Sequence, residues 1–377
     1  MDRELRYVSK LSPAIRSRLI LEYEVIEHLL EAYTFSAIEK YIQEVYWRLY
    51  WKGWLEFRPY IWQKYLEELQ EIKSQGSKML KIAKQIESAQ SGTDFVDYFM
   101  KQLTTTGYLH NHARMWFASY WIHAMKLPWQ LGADLFYRHL LDADPASNTL
   151  SWRWVAGLQT KGKAYLISRA NLEKFCDPEI LGNRDYTAID HVKVREGIEE
   201  NATDDQIIEN QACEGSHTFV KENERCGLWI HGEDLLPEKS LLSKQQFTTI
   251  VALQSSALME RYGISRKRIA YMGQVLTDAL DRAKNHYKVS GDMLEVSALP
   301  SSLLEWALQN KLKTVYTMKA YIGPLKDELD QIKRLFLENK IRLVLVEREE
   351  DQRIFPYAKK GFFHFWKKAS KETILKG

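Results

Sequence analysis

Cysteine is scarce in this chain of 377 residues, which has only Cys176, Cys213 and Cys226. Three thiols cannot all pair within one chain and none sits in a Cys-x-x-Cys spacing, so a disulfide framework and a four-thiolate cluster are both excluded. A reducing compartment is expected. No run approaches the roughly 18 apolar residues of a membrane-spanning helix, and the opening MDRELRYVSKLSP has no apolar stretch of the signal-peptide kind. The expected location is cytoplasmic, with no membrane partner. Charge of one sign is not in excess either. The 53 Lys+Arg against 50 Asp+Glu leave a net charge of +3, too small for bulk electrostatics to imply nucleic-acid binding. A GxGxxG following a strand, GxxxxGK[ST], GxSxG and HExxH are all missing, which removes the familiar nucleotide-loop, hydrolase and zincin routes. No metal site is expected.

Aromatic residues are abundant: 12 Trp and 20 Tyr. Nine of the tryptophans fall in the first half (Trp47, Trp51, Trp54, Trp62, Trp116, Trp121, Trp129, Trp152 and Trp154), where they serve as large core residues or as a lining for a stacked aromatic ligand. At about 150 residues per domain, the length fits two domains or one large one. From Ser12 to about Phe175 apolar residues recur at three- and four-residue intervals, the period of helices. Ser12-Pro13 reads as a capped helix start running through Leu29 and Leu30. Further helices are expected over 36–56, 60–85, 94–105, 110–126 and 130–141. Residues 184–225 are polar, acidic and aperiodic, a linker. Beyond them LWIHGEDL (228–235), TTIVALQ (248–254), DMLEVSA (292–298), LKTVYTM (312–318) and IRLVLVE (341–347) are short β-rich runs. Helical stretches at about 264–285, 300–310 and 324–339 separate them, the alternation of a parallel α/β layer. The expected fold is thus multidomain. An all-α domain over 1–183 is followed by the linker over 184–225 and a parallel, doubly wound, Rossmann-like α/β domain over 226–377.

The densest chemistry lies in TGYLHNHARMWFASYWIHAMKLPW (106–129) and LLDADPASNTLSWRWVAGLQTKGKAYL (140–166). Asn111, Arg114 and Ala118 share one helical face. Asp142 and Asp144 alternate in the following turn, ahead of Asn148 and the pair Trp152 and Trp154. Each charge alone reads as a solvated face. Flanked by apolar runs they are partly buried and need partners, and Arg114 with Asp142 is the obvious pair.

TGYLHNHARM, the D-x-D-P-A-S-N spacing and SWRW resemble the flavin-binding helical domain of the DNA photolyase/cryptochrome family. So do VSKLSP (8–13), EVYWRLYW (44–51) and SGTDFVDYFMKQL (91–103), and the resemblance runs collinearly over about residues 8–175. It implies non-covalent FAD. Ser9, Leu11 and Ser12 would lie at its pyrophosphate, in keeping with the free N–H groups of a helix N-terminus. Arg48 matches a cofactor-contacting arginine. Asn111 and Arg114 would face the flavin, with Asp142 near the isoalloxazine, Asp144 toward the ribityl or adenine side, and Asn148 opposite N5, where a neutral amide can donate or accept. An Asn here resembles photolyases, whereas plant-type cryptochromes carry Asp. Trp152 and Trp129 match two members of the family's electron-hopping tryptophan chain, and on residue type alone serve equally as core packing. Its outer tryptophan has no counterpart that can be placed. Glu44, Trp47, Met115 and Trp154 match positions lining the DNA-facing pocket, where an extruded dinucleotide would stack on aromatics. Glu44 would be catalytic there. Three departures stand out: Val8 where Thr is usual, His112 where photolyases carry Arg, and KGKAYLISRANLEKF (161–175) in place of the usual segment after Trp154.

The second half resembles the family's antenna domain, carried after the flavin domain instead of before it, as in a circular permutation. LWIHGEDLLPE (228–238) resembles its first strand, residues 301–347 its later strand, helix and strand, and IFPYAKKGFFHFWKK (354–368) the segment leading toward the flavin domain. On that reading Phe362, Phe363 and Trp366 are buried. The pigment is unknown. The implied function is light-driven electron transfer from reduced flavin to a pyrimidine lesion in DNA, a lyase activity. A blue-light photoreceptor with a protein partner and a light-independent flavoprotein are the rivals.

Overall fold

The computed structural model describes residues 8–160, 163–182, 185–196, 206–208 and 224–374. Most of the linker expected over 184–225, with Cys213, lies outside the described residues. Helix boundaries follow local breaks in the backbone. Ser12–Arg16 (α1) opens at Ser12-Pro13 as expected. It stops after one turn because Arg18 takes a left-handed φ of 53°, and Glu22–Ala32 (α2) begins afresh. Phe35–Glu56 (α3) occupies its expected span. The run expected over 60–85 is two helices, Pro59–Ser74 (α4) and Lys78–Glu87 (α5), divided at Gly76 with φ 58°. Asp94–Thr106 (α6) ends on left-handed Gly107, whose N–H donates to the Leu103 carbonyl. Asn111–Ser119 (α7) runs into a π-helical turn over Tyr120–Ala124. Trp129–His139 (α8), Pro145–Val155 (α9), Arg169–Phe175 (α10) and Pro178–Leu181 (α11) complete the helical region.

The five β-rich runs form five strands: Cys226–Ile230 (β1), Thr249–Ser255 (β2), Gly291–Val296 (β3), Thr314–Met318 (β4) and Arg342–Val346 (β5). They make one wholly parallel sheet of order β3-β2-β1-β4-β5. Leu228 pairs in register with Ile250 on one side and Tyr316 on the other. The helices are Ser256–Arg261 (α12), Arg266–Tyr287 (α13), Leu299–Gln309 (α14), Pro324–Glu338 (α15), Glu349–Ile354 (α16) and Phe362–Ile374 (α17). Both faces of the sheet are covered, which is why its central strands read as continuous apolar runs. Leu228, Ile250 and Tyr316 pack on Val275, Leu276 and Ala279 of α13, while Trp229, Val251 and Val315 pack on Leu303 and Trp306 of α14 and Ile332 of α15. Among the described residues no helix is long and apolar enough to cross a membrane.

The chain divides into two compact units, Met1–Leu11 with Tyr60–Gln206, and Ser12–Pro59 with Ile207–Gly377. This differs from a boundary near residue 183. α1 to α3 have the period of the helical region yet fall in the unit that holds the sheet, because periodicity identifies the buried face and not what buries it. α3 lies so close to the turn after α16 that a Cβ on Gly53 would stand 3.0 Å from Ala358 Cβ and Phe355 Cγ. α17 packs on α3 through Phe362, Phe365 and Trp366, all buried, which meet Tyr46, Trp47 and Tyr50. Phe363, expected to be buried, is 74% exposed, and Phe365 takes its place at 0%. The i, i+3, i+4, i+7 period of a helix turns residue 363 outward.

Candidate functional site

Within the first unit, α7, α8 and α9 gather most of the expected residues. Arg114 Nε donates to the Leu109 carbonyl at 2.8 Å and Nη2 to Asp142 Oδ2 at 2.9 Å. Asp142 is buried, and the expected pair is formed. Asp144 caps α9, its carboxylate accepting the Ser147 N–H at 2.9 Å, with Pro145 at the first helical position. One turn on, buried Asn148 donates from Nδ2 to the Ala133 carbonyl of α8 at 2.8 Å, which leaves Oδ1 as an acceptor for another group. Ser147 Oγ is buried without a hydrogen-bond partner among the described residues. A hydroxyl so placed calls for a polar ligand atom or a water. A salt-bridged guanidinium, an oriented amide and an unpaired hydroxyl on neighbouring helices are a donor and acceptor set that fits a polar aromatic cofactor such as a flavin. Asn111 is exposed and Met115 half-buried on α7. Ser9 is exposed and Leu11 half-buried ahead of α1.

The two expected redox tryptophans sit on the packed pair α8 and α9. Trp129 is 4% exposed and stacks on Tyr65, with ring centroids 5.6 Å apart. Tyr65 in turn lies 5.4 Å from Trp62. Trp152, 2% exposed, meets Phe136 and Trp121 edge-on at 5.1 and 6.3 Å. Its ring is seated on Gly132, where a Cβ would come within 2.2 Å of Trp152 Cη2. Gly132 in the middle of WQLGADLF was the sequence signal for that close approach, and it was missed. Gly132→Ala is therefore expected to displace the Trp152 ring and destabilise the protein by about 1–3 kcal/mol despite the better helix propensity of Ala. Thermal melting checks it, and an unchanged or raised midpoint would show that the ring moves freely.

The segment 161–175 that departs from the family pattern supplies rings to two expected positions. Tyr165 stacks on half-buried Trp154 at 5.7 Å. Phe175 stacks on His112 at 5.6 Å, with His110 on His112 at 5.4 Å. Neither contact was legible beforehand, since an aromatic residue carries no mark of its partner.

The second unit holds the remaining residues. Ser12 Oγ, at the start of α1, is buried without a partner among the described residues. Glu44 is exposed on α3, and Trp47 and Arg48 are half-buried there. Trp47 lies face to face with Phe362 of α17, centroids 3.7 Å apart and planes within 8°. That face is closed to any other ring.

Residues 41–184 match the family described as the FAD binding domain of DNA photolyase. Over 161 residues the chain is 31% identical to a deoxyribodipyrimidine photo-lyase of Alkalihalophilus pseudofirmus, covering 42% of this chain and 33% of that protein. To the deoxyribodipyrimidine photo-lyase of Streptomyces griseus it is 30% identical over 186 residues, 49% of this chain and 38% of the relative. To the cryptochrome DASH of Arabidopsis thaliana it is 28% identical over 138 residues, 33% of this chain and 24% of the relative. The chain thus spans about a third of the length of the curated photo-lyases it matches. The matched segment contains every expected site residue except Ser9, Leu11 and Ser12.

Proposed function

Since residues 41–184 belong to the photolyase/cryptochrome family, we propose that this protein binds FAD non-covalently and uses light-driven electron transfer from the reduced flavin to split a pyrimidine lesion in DNA. The observation that carries the reading is the ordered polar set on α7 to α9, where Arg114 is fixed by Asp142 and Asn148 by the Ala133 carbonyl. Bound FAD supplies the electron that blue light makes available. The chain's own residues do the rest. Arg114, Asp142, Asn111 and Asp144 hold and orient the cofactor, as do Ser9, Leu11, Ser12 and Arg48. The anchored amide of Asn148 presents Oδ1 to a donor at flavin N5. Buried Trp152 and Trp129 refill the flavin with electrons, and Tyr65, stacked on Trp129, extends the row of rings. Glu44, Trp47, Met115 and Trp154 receive the extruded bases. The parallel sheet and its helices are the relocated antenna domain, supported by the all-parallel order β3-β2-β1-β4-β5. Its pigment is unknown.

A second reading, a blue-light photoreceptor acting through a protein partner, is favoured by one observation. Tyr165 and Phe175 cover faces of Trp154 and His112 that a DNA-facing pocket would leave open. Repair of an ultraviolet-irradiated oligonucleotide by the reduced protein under blue light decides between them. Flavin photoreduction without repair favours the photoreceptor, and a preparation with no flavin absorbance overturns both.

Asn148→Asp should make flavin reduction harder by Coulomb repulsion between the added carboxylate and the charge gained on reduction. A tenfold change in the equilibrium is about 59 mV for one electron. The expected result is a midpoint potential more negative by roughly that amount in spectroelectrochemical titration. An unchanged potential would remove residue 148 from the flavin's edge.

A further inference from the structure

The amino ends of the parallel strands carry a row of cations that a net charge of +3 conceals. Each of α13, α14 and α15 returns to the sheet through an exposed lysine in the left-handed region: Lys288 at φ 57°, Lys311 at 52° and Lys340 at 57°. Glycine or asparagine usually fills such a turn, since a longer side chain there crowds its own backbone. The Leu312 and Ile341 N–H groups close two of these turns on the Ala307 and Phe336 carbonyls at 2.9 Å. Exposed Arg225, Lys313 and Arg342 stand at the starts of β1, β4 and β5. They are neighbours, for the Lys313 N–H donates to the Arg225 carbonyl and the Arg342 N–H to the Lys313 carbonyl, both at 2.9 Å. The acids within two residues of any of the six are Glu224, 3.6 Å from Arg342, and exposed Glu338. Among the described residues Lys288, Lys311, Lys313 and Lys340 form no ion pair. The carboxyl ends of the same strands differ: there Arg18 and Arg348 are matched by buried Asp234 and Asp351.

We infer that this edge of the sheet is a further, sequence-independent docking surface for the phosphate backbone of duplex DNA. The inference rests on the reading, proposed above, that the protein acts on DNA. Four intervals of about 4.8 Å separate β3 from β5, so the row is about 19 Å long. Duplex DNA presents a negative charge about every 1.7 Å along its axis, and each cation that meets a phosphate releases a condensed counterion. Solvated lysines without an acidic partner suit that exchange, because no ion pair within the protein has to break first. A single row also matches a strand of phosphates better than it matches a bilayer, whose head groups cover a plane. Contacts to phosphates position a protein without reading bases. The edge therefore adds affinity for any duplex, damaged or not.

The measurement is fluorescence anisotropy of a labelled duplex, undamaged or ultraviolet-irradiated, titrated with the full chain at several salt concentrations. The variant combines Lys288→Asn, Lys311→Asn and Lys340→Asn with Lys313→Gln, removing four charges while placing a residue that tolerates a left-handed backbone at each turn. Affinity should fall at least about tenfold, by the same factor on both duplexes, and the slope of log K against log salt should become shallower by about 3, at roughly 0.9 per lost phosphate contact. Flavin content and melting should match the parent's. Replacing the same four lysines by arginine should leave binding as in the parent. If the neutral variant keeps the parent's affinity and salt slope, the inference is overturned and the DNA-acting reading stands. Equal weakening by the arginine variant would trace the loss to the turns and not to charge, and would overturn it too. Vesicles of phosphatidylserine and phosphatidylcholine form the last arm: lost vesicle binding with DNA binding unchanged would assign the edge to lipid and overturn the inference. If the parent binds neither duplex, the DNA-acting reading fails and the inference with it.

Discussion

Arg18→Met is expected to lower the stability of the sheet-bearing unit by about 3–5 kcal/mol, the cost of leaving buried carboxylates without their cation. Arg18 is 2% exposed and grips Asp351 with two nitrogens, at 2.7 and 2.8 Å, while reaching Asp234 at 3.2 Å. Arg348 closes on Asp234 at 2.6 and 2.7 Å, and Tyr321 donates to Asp351 at 2.5 Å. Beside them Arg16 pairs with Glu233 at 2.6 Å and donates to the Gly232 carbonyl. These groups collect beyond the carboxyl ends of β1, β4 and β5. The strand order reverses between β1 and β4, and parallel sheets of this kind commonly take a ligand at such a point. Here Arg16 and Arg18 fill it. Burial works to raise the Asp234 carboxyl, but Arg348 and Arg18 outweigh it and hold the group well below the usual carboxylate range. Burial likewise lowers the His231 imidazole, whose Nε2 is 2.8 Å from the Met318 carbonyl.

Both shifts act in the same direction with pH. The unfolded chain takes up a proton at His231 below about pH 6.5 and at Asp234 below about 3.8, each before the folded protein does, so stability falls as pH falls through that range. Urea denaturation of Arg18→Met and of the double variant Arg18→Met, Asp351→Asn, followed by circular dichroism from pH 7 to pH 4, checks the network. The second change should recover part of the loss by neutralising the stranded carboxylate. A single variant within about 1 kcal/mol of the parent would show that the ion pairs here add nothing beyond packing.

The difference between what could and could not be read from the residues has a physical cause. All five strands were legible because a run such as TTIVALQ is apolar, β-branched and too short for a buried helix. The break at Arg18 was not, because a left-handed arginine carries no signal of the kind Gly76 does. The Arg114–Asp142 pair was legible because a charge between apolar runs must find its opposite. Destination was illegible: the stripe on α3 announces a buried face, and only the folded chain shows Phe362, Phe365 and Trp366 of α17 covering it. Exposure of Phe363 has the same origin, since FFHFW contains more aromatic residues than one helical face can bury.

Arg114→Ala is expected to yield protein with sharply reduced flavin content. Asp142 is 3% exposed, so removing its guanidinium leaves a carboxylate buried beside the proposed cofactor site, at a cost of about 2–5 kcal/mol. At about 1.4 kcal/mol per tenfold, 3 kcal/mol corresponds to an affinity loss of more than a hundredfold, enough for the cofactor to be lost during gel filtration. Two further variants separate charge from geometry. Arg114→Lys keeps the positive charge but cannot serve both the Leu109 carbonyl and Asp142 from one rigid fork, so its flavin content should fall between those of the parent and Arg114→Ala. Asp142→Asn in the Arg114→Ala background removes the stranded charge and should restore melting without restoring flavin, if Arg114 contacts the cofactor itself. Recovery of both would mean that Arg114 acts only by neutralising Asp142. Full flavin and unchanged melting in Arg114→Ala would remove the pair from the site altogether.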